Sequence, residues 1–274
     1  MGRISRGASI RLCSAAMRRP TLATPACALL SSTAILLAGC GDPKPSGTAS
    51  SAAATTAAAP AEPPTPPKPK TMPHLIVDAM GPYLNGQRVE MTQEGAAAKV
   101  AKIVKELPIE GKPVTLIAEK KAKTPHVAIV VSELGLAGAP KVLIKTDGRD
   151  DLPKEITVTP DSRVSNPPGC SVSATVMKDL STAVWPFKGG LGRRHRKGFA
   201  GPDLSHTAEQ LKKDLAACDS SMAFFSGDDS IGWEMTYNLA GTVLNSDEKK
   251  RIDTLVIPRE APVAGRPLTL GKKE

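Results

Sequence analysis

The residue types that could perform chemistry are few and widely spaced along the chain. The four histidines, His74, His126, His195 and His206, form no H-x-x-x-H or H-x-x-E-H pattern, and there is no C-x-x-C pair. Because zinc sites use such ligands at characteristic spacings, the sequence predicts no metal site and no cofactor.

Asp203, Ser205 and His206 are the residue types of a hydrolytic triad. Neighbours in sequence do not make a triad, because its members must converge from separate parts of the fold. A helix cap is the favoured interpretation of these residues. With no other constellation to suggest catalysis, we expect that the protein is not an enzyme.

The most unusual stretch combines glycine with positive charge over residues 189–198 (GGLGRRHRKG). It lacks the G-x-x-x-x-G-K-[ST] phosphate loop. Candidate contacts to an anionic partner, such as lipid head groups or acidic cell-wall polymer, are Arg193, Arg194, Arg196 and Lys197, and salt would screen their attraction. The alternative, a solvated loop between strands, is the interpretation that the sequence favours.

A second feature with chemical meaning is the N-terminal segment, residues 1–39, which contains five arginines and no acidic residue. An apolar stretch there runs into Leu37-Ala38-Gly39-Cys40, a pattern similar to the bacterial lipobox. We therefore predict a lipoprotein signal peptide over 1–39 and lipidation of Cys40. Met17 is an alternative start, and an uncleaved membrane helix is the alternative to cleavage.

The predicted cleavage determines which of the other cysteines remain in the mature chain. Cleavage would remove Cys13 and Cys27, which leaves Cys170 and Cys218 in an oxidising compartment. These two either form a disulfide or remain two separately buried thiols. Cleavage would also lower the formal charge from +9 to +4, which is too mild to indicate nucleic-acid binding.

The elements that position these residues begin after a spacer. Residues 40–72 contain the lipidated cysteine and a segment rich in Ala and Pro, which predicts a disordered linker with a reach of roughly 100 Å. Beyond it, Asn85-Gly86 favours a tight turn between strands. Val100, Ile103, Val104 and Leu107 have helical spacing, and Thr124-Pro125 is typical of a second helix start.

The same order of elements is predicted twice. Strands, helices and turns over 73–146 follow the order ββαβαβ, and those over 169–258 follow it again, with Ser230 expected to cap the last helix. The expected fold class is α+β, with tandem units that are each a small sheet covered by two helices. Residues 147–168 are expected to be a linker, and residues 259–274 an exposed tail.

Four segments of the first unit carry a resemblance to a known family: residues 83–86 (YLNG), 113–121 (PVTLIAEKK), 125–134 (PHVAIVVSEL) and 138–146 (GAPKVLIKT). In these segments the chain resembles the periplasmic domain of the ExbD/TolR family of biopolymer-transport proteins. The second unit resembles that family in element order alone. Two ExbD/TolR-like units in one chain are therefore expected.

The resemblance implies partners. Proteins of this family normally work beside a proton-conducting partner, through a membrane helix that carries an aspartate, and their periplasmic domains dimerise. ExbB/TolQ-like or TonB/TolA-like envelope proteins and peptidoglycan are the partners implied here, and the tandem units could pair as a pseudo-dimer, with a homodimer as the alternative. No Asp or Glu precedes Asp42. The chain therefore lacks the membrane-helix carboxylate that the family uses beside its proton-conducting partner.

The predicted function is that of a non-catalytic periplasmic module of an ExbD/TolR-like transport or envelope-stabilising system. The alternative is a stand-alone lipoprotein that binds the cell wall or another anionic polymer. Gly41 rather than an aspartate follows Cys40, so the common inner-membrane retention pattern is not met. Lipid anchoring to the outer membrane, facing the periplasm, is the favoured location.

Anchoring through Cys40 is tested by the intact mass and membrane partition of the wild-type protein and of Cys40→Ser. We expect wild type to lose the segment before Cys40, to gain acyl chains and to fractionate with membranes, because the thiol is the acceptor of lipid. Cys40→Ser should carry no acyl chains. An uncleaved and unacylated wild-type protein that remains in the membrane would contradict the prediction.

Overall fold

The computed structural model describes residues 73–271. The predicted signal peptide 1–39, the predicted lipidation site Cys40, the linker 40–72 and the last three residues lie outside this range. In chain order the elements are β1 Leu75–Asp78, β2 Gly81–Leu84, β3 Gln87–Arg88, α1 Ala96–Lys105, β4 Val114–Ala118, α2 Thr124–Leu136, β5 Val142–Lys145, β6 Glu155–Pro160, a 3-10 turn Asp161–Arg163, β7 Val172–Val176, β8 Thr182–Pro186, β9 Arg193–His195, α3 Leu204–Ala217, β10 Met222–Gly227, α4 Trp233–Ser246 and β11 Thr254–Ile257.

The described chain is mixed α+β, with one large sheet. Its strands follow the order β3-β2-β1-β4-β5-β6-β11-β10-β7-β8-β9. The element order β-β-β-α-β-α-β occurs twice, from β1 to β5 and from β7 to β11. We call residues 73–146 the first half and residues 169–258 the second half. The expectation of two separate small sheets is wrong, because the halves share a continuous sheet through β6.

The predicted linker 147–168 therefore needs correction. Its residues Glu155–Pro160 form β6, which pairs antiparallel with β5 and parallel with β11. Ile156, Val158 and Pro160 are buried and alternate with more exposed residues, the pattern of a strand with one face on a core. The polar character of residues 147–168 favours a linker, but β5 and β11 supply the hydrogen-bond partners that make part of it a strand.

The local signals in the first half lead to the expected turns and helices. Asn85 and Gly86 both adopt positive φ, 49° and 86°, so the tight turn predicted from this dipeptide connects β2 to β3. Helix α1 buries Val100 and Val104 along one face. Gly95, rather than a polar residue, is the N-cap of this helix.

The predicted caps of α2 and α4 also differ in detail. Lys123 is the N-cap of α2, and Thr124 is already helical. The hydroxyl of Thr124 instead lies 2.7 Å from the hydroxyl of Thr236 in the second half. Gly232 is the N-cap of α4, while Ser230 hydrogen bonds to Asp228 in the preceding loop.

The helices pack on one face of the sheet. Helix α1 contacts α2, α3 contacts α4, and α2 contacts α4 across the junction of the halves. This arrangement follows from right-handed crossovers in two halves whose strands run in opposite directions. Residues on this face form the main core, which includes Leu116, Val130 and Tyr237.

The opposite face, called the back face, differs between the halves. In the first half it is open, and strand β4 alternates buried Val114, Leu116 and Ala118 with exposed Thr115 and Ile117. In the second half every residue of β7 is buried, and so are the residues of β10 after Met222. Strands buried on both sides require a second covering layer.

The C-terminal segment, Arg259–Gly271, supplies that layer. Leu268 is buried in a cluster with Ala183, Trp185, Phe224 and Val256. The backbone of this segment is also held, since the indole Nε1 of Trp185 donates to the Arg266 carbonyl at 2.9 Å and the Leu268 N–H donates to the Phe187 carbonyl at 3.0 Å. The prediction of an exposed tail over 259–274 is therefore wrong as far as Gly271.

A buried carboxylate holds both ends of this segment. Asp161, directly after β6, accepts from the N–H groups of Arg259 and Gly271 at 3.0 and 3.1 Å. Its other oxygen accepts from the Ser132 hydroxyl and the Ser162 N–H at 2.9 and 2.8 Å. Buried carboxylates are stable when their oxygens are satisfied in this way. Asp161 thus ties α2, the end of β6 and the C-terminal segment together.

Side chains of α4 fix the junction from the helical side. The indole Nε1 of buried Trp233 donates to the Thr146 hydroxyl at 2.8 Å, and the Tyr237 hydroxyl donates to the Pro153 carbonyl at 2.9 Å. Burial raises the pKa of Tyr237 to about 12, so its hydroxyl remains a donor at neutral pH.

Between residues 73 and 271, none of the helices is both long and apolar enough to cross a membrane.

The packing of α2 on β6 leads to a stability prediction at Gly135. A Cβ at this position would lie 2.3 Å from Pro160 Cβ and 2.5 Å from Ser162 Oγ. Alanine gains about 1 kcal/mol in helix propensity, but overpacking against a ring that cannot rotate away costs up to about 3 kcal/mol. We expect Gly135→Ala to lower the free energy of unfolding in urea by about 1–2 kcal/mol.

Gly169→Ala is the matched control. Its Cβ would meet the flexible Lys188 side chain no closer than 3.4 Å. The change in unfolding free energy should stay within about 0.5 kcal/mol. A Gly135→Ala protein more stable than wild type would contradict the close contact of α2 with the end of β6.

Candidate functional site

The basic stretch found in the sequence forms the end strand of the sheet. Arg193, Arg194 and His195 make up β9, which pairs antiparallel with β8 through Val184, Ala183 and Thr182. Successive side chains of a strand point to opposite faces. Arg194 therefore lies on the back face with Ala183, while Arg193 and His195 lie on the helical face.

Beside β9, the basic stretch and the β7–β8 turn line an open depression of about 720 Å³. Its lining consists of Lys178, Asp179, Leu180, Arg194, Arg196 and Lys197. Four of these side chains are cationic and one is a carboxylate, so the depression carries a clear excess of positive charge. Such a surface attracts anionic groups, and salt weakens the attraction.

Arg194 is the fixed member of this set. Its Nε donates to the Ser181 hydroxyl at 2.9 Å, and its guanidinium pairs with Asp179. Hydrogen bonds from Ser181, with a further contribution from Arg194, lower the pKa of Asp179. The turn itself contains Leu180 at φ 63°, an uncommon conformation for a large side chain, which packs against the main core.

The remaining cations of this edge are available to a partner. Within residues 73–271, Lys178, Arg193, Arg196 and Lys197 take part in none of the salt bridges. Each of these side chains is exposed. An anion that approaches the edge would therefore not need to break an existing ion pair with them.

The structure divides the four basic residues that the sequence singled out. Arg194, Arg196 and Lys197 share the depression, whereas Arg193 lines a smaller cavity of about 200 Å³ on the helical face with Asp214. Sequence reasoning missed Lys178 and Asp179. They lie in the turn between two predicted strands, but β9 was not predicted, so nothing placed the basic stretch beside that turn.

The two remaining cysteines lie close to Arg193. Cys170 and Cys218 form a disulfide with Cα atoms 5.7 Å apart, which joins a residue two positions before β7 to the C-cap of α3. Of the two alternatives open from the sequence, the structure has the disulfide. The bond anchors α3 to the sheet beside β8 and β9.

The triad-like residues form a helix cap. Asp203 is the N-cap of α3 and accepts from the His206 N–H at 3.1 Å, and the His206 ring lies 2.7 Å from its other oxygen. The hydrogen bond with Asp203 raises the pKa of His206. Within residues 73–271, no three side chains of His, Cys, Asp or Glu are grouped as ligands for a metal ion.

Comparison with known proteins adds no relative. No family model, no curated protein and no solved structure matches the chain. The site itself is an exposed basic edge, held in place by β8, the disulfide and the Asp179–Arg194 pair, and it is suited to contact an anionic surface.

The pKa values of two histidines are shifted in opposite directions, which leads to a prediction of how stability depends on pH. Burial, and then the nearby charge of Lys123, lowers the pKa of His126 near the start of α2. Its folded pKa lies below the unfolded value, so protonation favours the unfolded chain as pH falls through about 6.5. His206 has a raised pKa, so its contribution to stability is full below about 6.5 and is lost as pH rises through the folded pKa.

We expect His126→Gln to make the protein relatively more stable than wild type as pH falls from about 7 to 5, and His206→Gln to make it relatively less stable over the same range. Urea unfolding at several pH values measures both differences. Parallel pH profiles for wild type and His126→Gln would contradict the burial of this ring.

Proposed function

We propose that the chain is a non-catalytic, envelope-facing module of an ExbD/TolR-like transport or envelope-stabilising system, which binds protein partners while lipid on Cys40 holds it to the membrane. The observation that supports this most is the repeated element order. The four segments that resemble the family periplasmic domain fall on β2, β4, α2 and β5 of the first half. The second half repeats the order β-β-β-α-β-α-β.

The relation between the halves supports an internal pseudo-dimer. Related domains in the family pair with one another, and here two halves of the same element order share one sheet and pack α2 against α4. The contact is buried and specific, as the Thr124–Thr236 and Trp233–Thr146 hydrogen bonds illustrate. A chain that carries both members of the pair does not need a second copy to complete it.

The open back face of the first half is the surface that we assign to a protein partner. Ile76 and Leu143 are half-buried there, and Ile117 is 39% exposed. The corresponding face of the second half is occupied by the C-terminal segment, so its apolar side chains are already covered. A partner that packs on the open face would bury apolar area at about 25 cal/mol per Å².

The proposal assigns no proton-coupling role to this chain. An ion-coupled membrane helix in the family carries an aspartate, and no Asp or Glu precedes Asp42 in this chain. We therefore assign to the chain the partner-binding task and leave proton coupling to another protein. The stand-alone cell-wall lipoprotein is the second candidate, and the cationic depression at β9 favours it.

The test is affinity purification of the lipidated full-length chain from its own membranes, followed by detection of ExbB/TolQ-like and TonB/TolA-like proteins. Ile117→Glu should lower recovery of the partner about tenfold, because loss of one buried aliphatic contact costs about 1.5 kcal/mol or more. Leu136→Glu is the matched control, since Leu136 is 38% exposed and lies at the end of α2.

Binding to purified sacculi provides the second arm. Recovery of neither class of envelope protein, together with sacculus binding that survives Ile117→Glu, would contradict the transport-linked proposal and favour the cell-wall lipoprotein. Equal loss of partner in Ile117→Glu and Leu136→Glu would contradict the assignment of the open back face.

A further inference from the structure

The two most exposed large apolar side chains flank β9. Leu191 and Phe199 are 101% and 111% exposed, whereas the other exposed large apolar side chains of residues 73–271 lie between 38% and 71%. The chain has only four phenylalanines. Phe224 and Phe225 are buried and Phe187 is half-buried, so Phe199 alone among them faces solvent. Together, Leu191 and Phe199 place exposed apolar side chains on both sides of β9.

The backbone holds these side chains outward at the two ends of one strand. Leu191 precedes β9 by two residues, and its glycine neighbour Gly190 donates its N–H to the Gly265 carbonyl at 2.9 Å. Phe199 follows β9, in a short loop closed by a hydrogen bond from the Gly198 N–H to the Gly201 carbonyl at 2.7 Å. The pairing of β9 with β8 fixes the basic residues between them.

The edge of the sheet thus presents an apolar side chain, a run of cations and a second apolar side chain. Arg193, Arg196 and Lys197 lie within that run, and Lys178 of the neighbouring turn lines the depression with Arg196 and Lys197. Asp179 is the one carboxylate that lines the depression, and it is paired with Arg194. The unpaired charge of the depression is therefore positive.

We propose that the β9 edge docks on an anionic lipid surface. The cations contact lipid phosphates, and Leu191 and Phe199 enter the boundary between head groups and acyl chains. Each cation near such a surface strengthens binding about fivefold, and exposed apolar side chains add to it by leaving water. A bilayer meets both requirements at once.

An acidic cell-wall polymer meets only one of them. It could neutralise the cations, but a hydrated polysaccharide offers no apolar phase for Leu191 and Phe199 to enter. The exposure of these two side chains is what favours lipid over polymer. Their positions at opposite ends of an edge strand also suit a flat surface rather than a single narrow strand of polymer.

This membrane contact is independent of the partner proteins proposed above, because it uses the edge opposite the first half. Lipidation of Cys40, if it occurs as predicted, would raise the effective concentration of the edge at the bilayer. Docking at β9 would then orient the folded part on the membrane and leave the open back face of the first half, at the other end of the sheet, accessible to partners.

Hydrogen exchange followed by mass spectrometry tests the proposal on the full-length chain. The protein is compared on vesicles of phosphatidylcholine alone and of phosphatidylcholine mixed with phosphatidylglycerol. Because a lipid on Cys40 would hold the chain on both, the informative signal is local. We expect slower exchange over residues 190–199 on the anionic vesicles, with no such change on the neutral ones, and weaker protection at high salt.

Two pairs of substitutions separate the charged and apolar contributions. Arg196→Gln with Lys197→Gln should weaken docking about twenty-five-fold, since two cations are removed. Leu191→Ser with Phe199→Ser should abolish the protection without a change in charge. Lys102→Gln with Lys105→Gln, on exposed positions of α1 in the first half, is the matched charge control and should leave the protection intact. All these side chains are exposed, and exchange of β10 in the same data reports whether each variant is folded.

Equal protection on neutral and anionic vesicles would overturn the proposal, as would protection that survives both pairs of substitutions at β9. Protection by purified sacculi in the absence of anionic lipid, unaffected by Leu191→Ser with Phe199→Ser, would assign the edge to cell-wall polymer instead. None of these results alters the recovery of partner proteins through Ile117, so failure of lipid docking and failure of the proposed function are distinguishable.

Discussion

The backbone hydrogen bonds along both edges of β6 join the two halves into one sheet, and most of the tertiary structure depends on them. Val158 pairs with Val142 of β5 on one side and with Leu255 of β11 on the other. Without β6, each half would expose an unpaired strand edge, which favours aggregation. Because β6 runs antiparallel to β5 and parallel to β11, the halves have opposite directions and their helices meet on the same face.

The end of the same strand determines how the second half is closed. Asp161 follows β6 and accepts hydrogen bonds from Arg259 and Gly271, so the chain leaving β11 is turned back over the sheet. An ion pair between buried Glu133 and half-buried Arg259, with 2.5 Å between the carboxylate and guanidinium atoms, adds a second tie to α2. Loss of Arg259 would leave the buried carboxylate of Glu133 without its partner.

These constraints make the halves unequal despite their common element order. The back face of the first half is open around Ile117, while that of the second half is covered by Leu268 and its neighbours. The second half instead offers its outer edge, where β9 carries cations and is flanked by the exposed apolar side chains of Leu191 and Phe199. The proposed division of labour, with protein partners at one end of the sheet and anionic lipid at the other, follows from this asymmetry.

Local patterns predicted much of the first half correctly. Asn85-Gly86 predicts a turn because both residues tolerate positive φ, and the spacing of Val100 and Val104 predicts a helix because they fall on one face. Asp203 acts as a cap through its neighbour His206, an interaction that local sequence can reveal. The pairing of Cys170 with Cys218 could be listed as an alternative only, since sequence does not show whether two Cβ atoms meet.

Elements with local signals can be predicted from the sequence: the helices, the apolar strands, the Asn-Gly turn and the separation of charged from apolar stretches. Three features emerge from the folded structure alone: β6 lies between the halves, Arg259–Gly271 covers the back face of the second half, and Arg193-Arg194-His195 is a strand. These three depend on partners distant in sequence. A polar segment such as β9 has no apolar alternation of its own and becomes a strand because the edge of β8 supplies its hydrogen bonds.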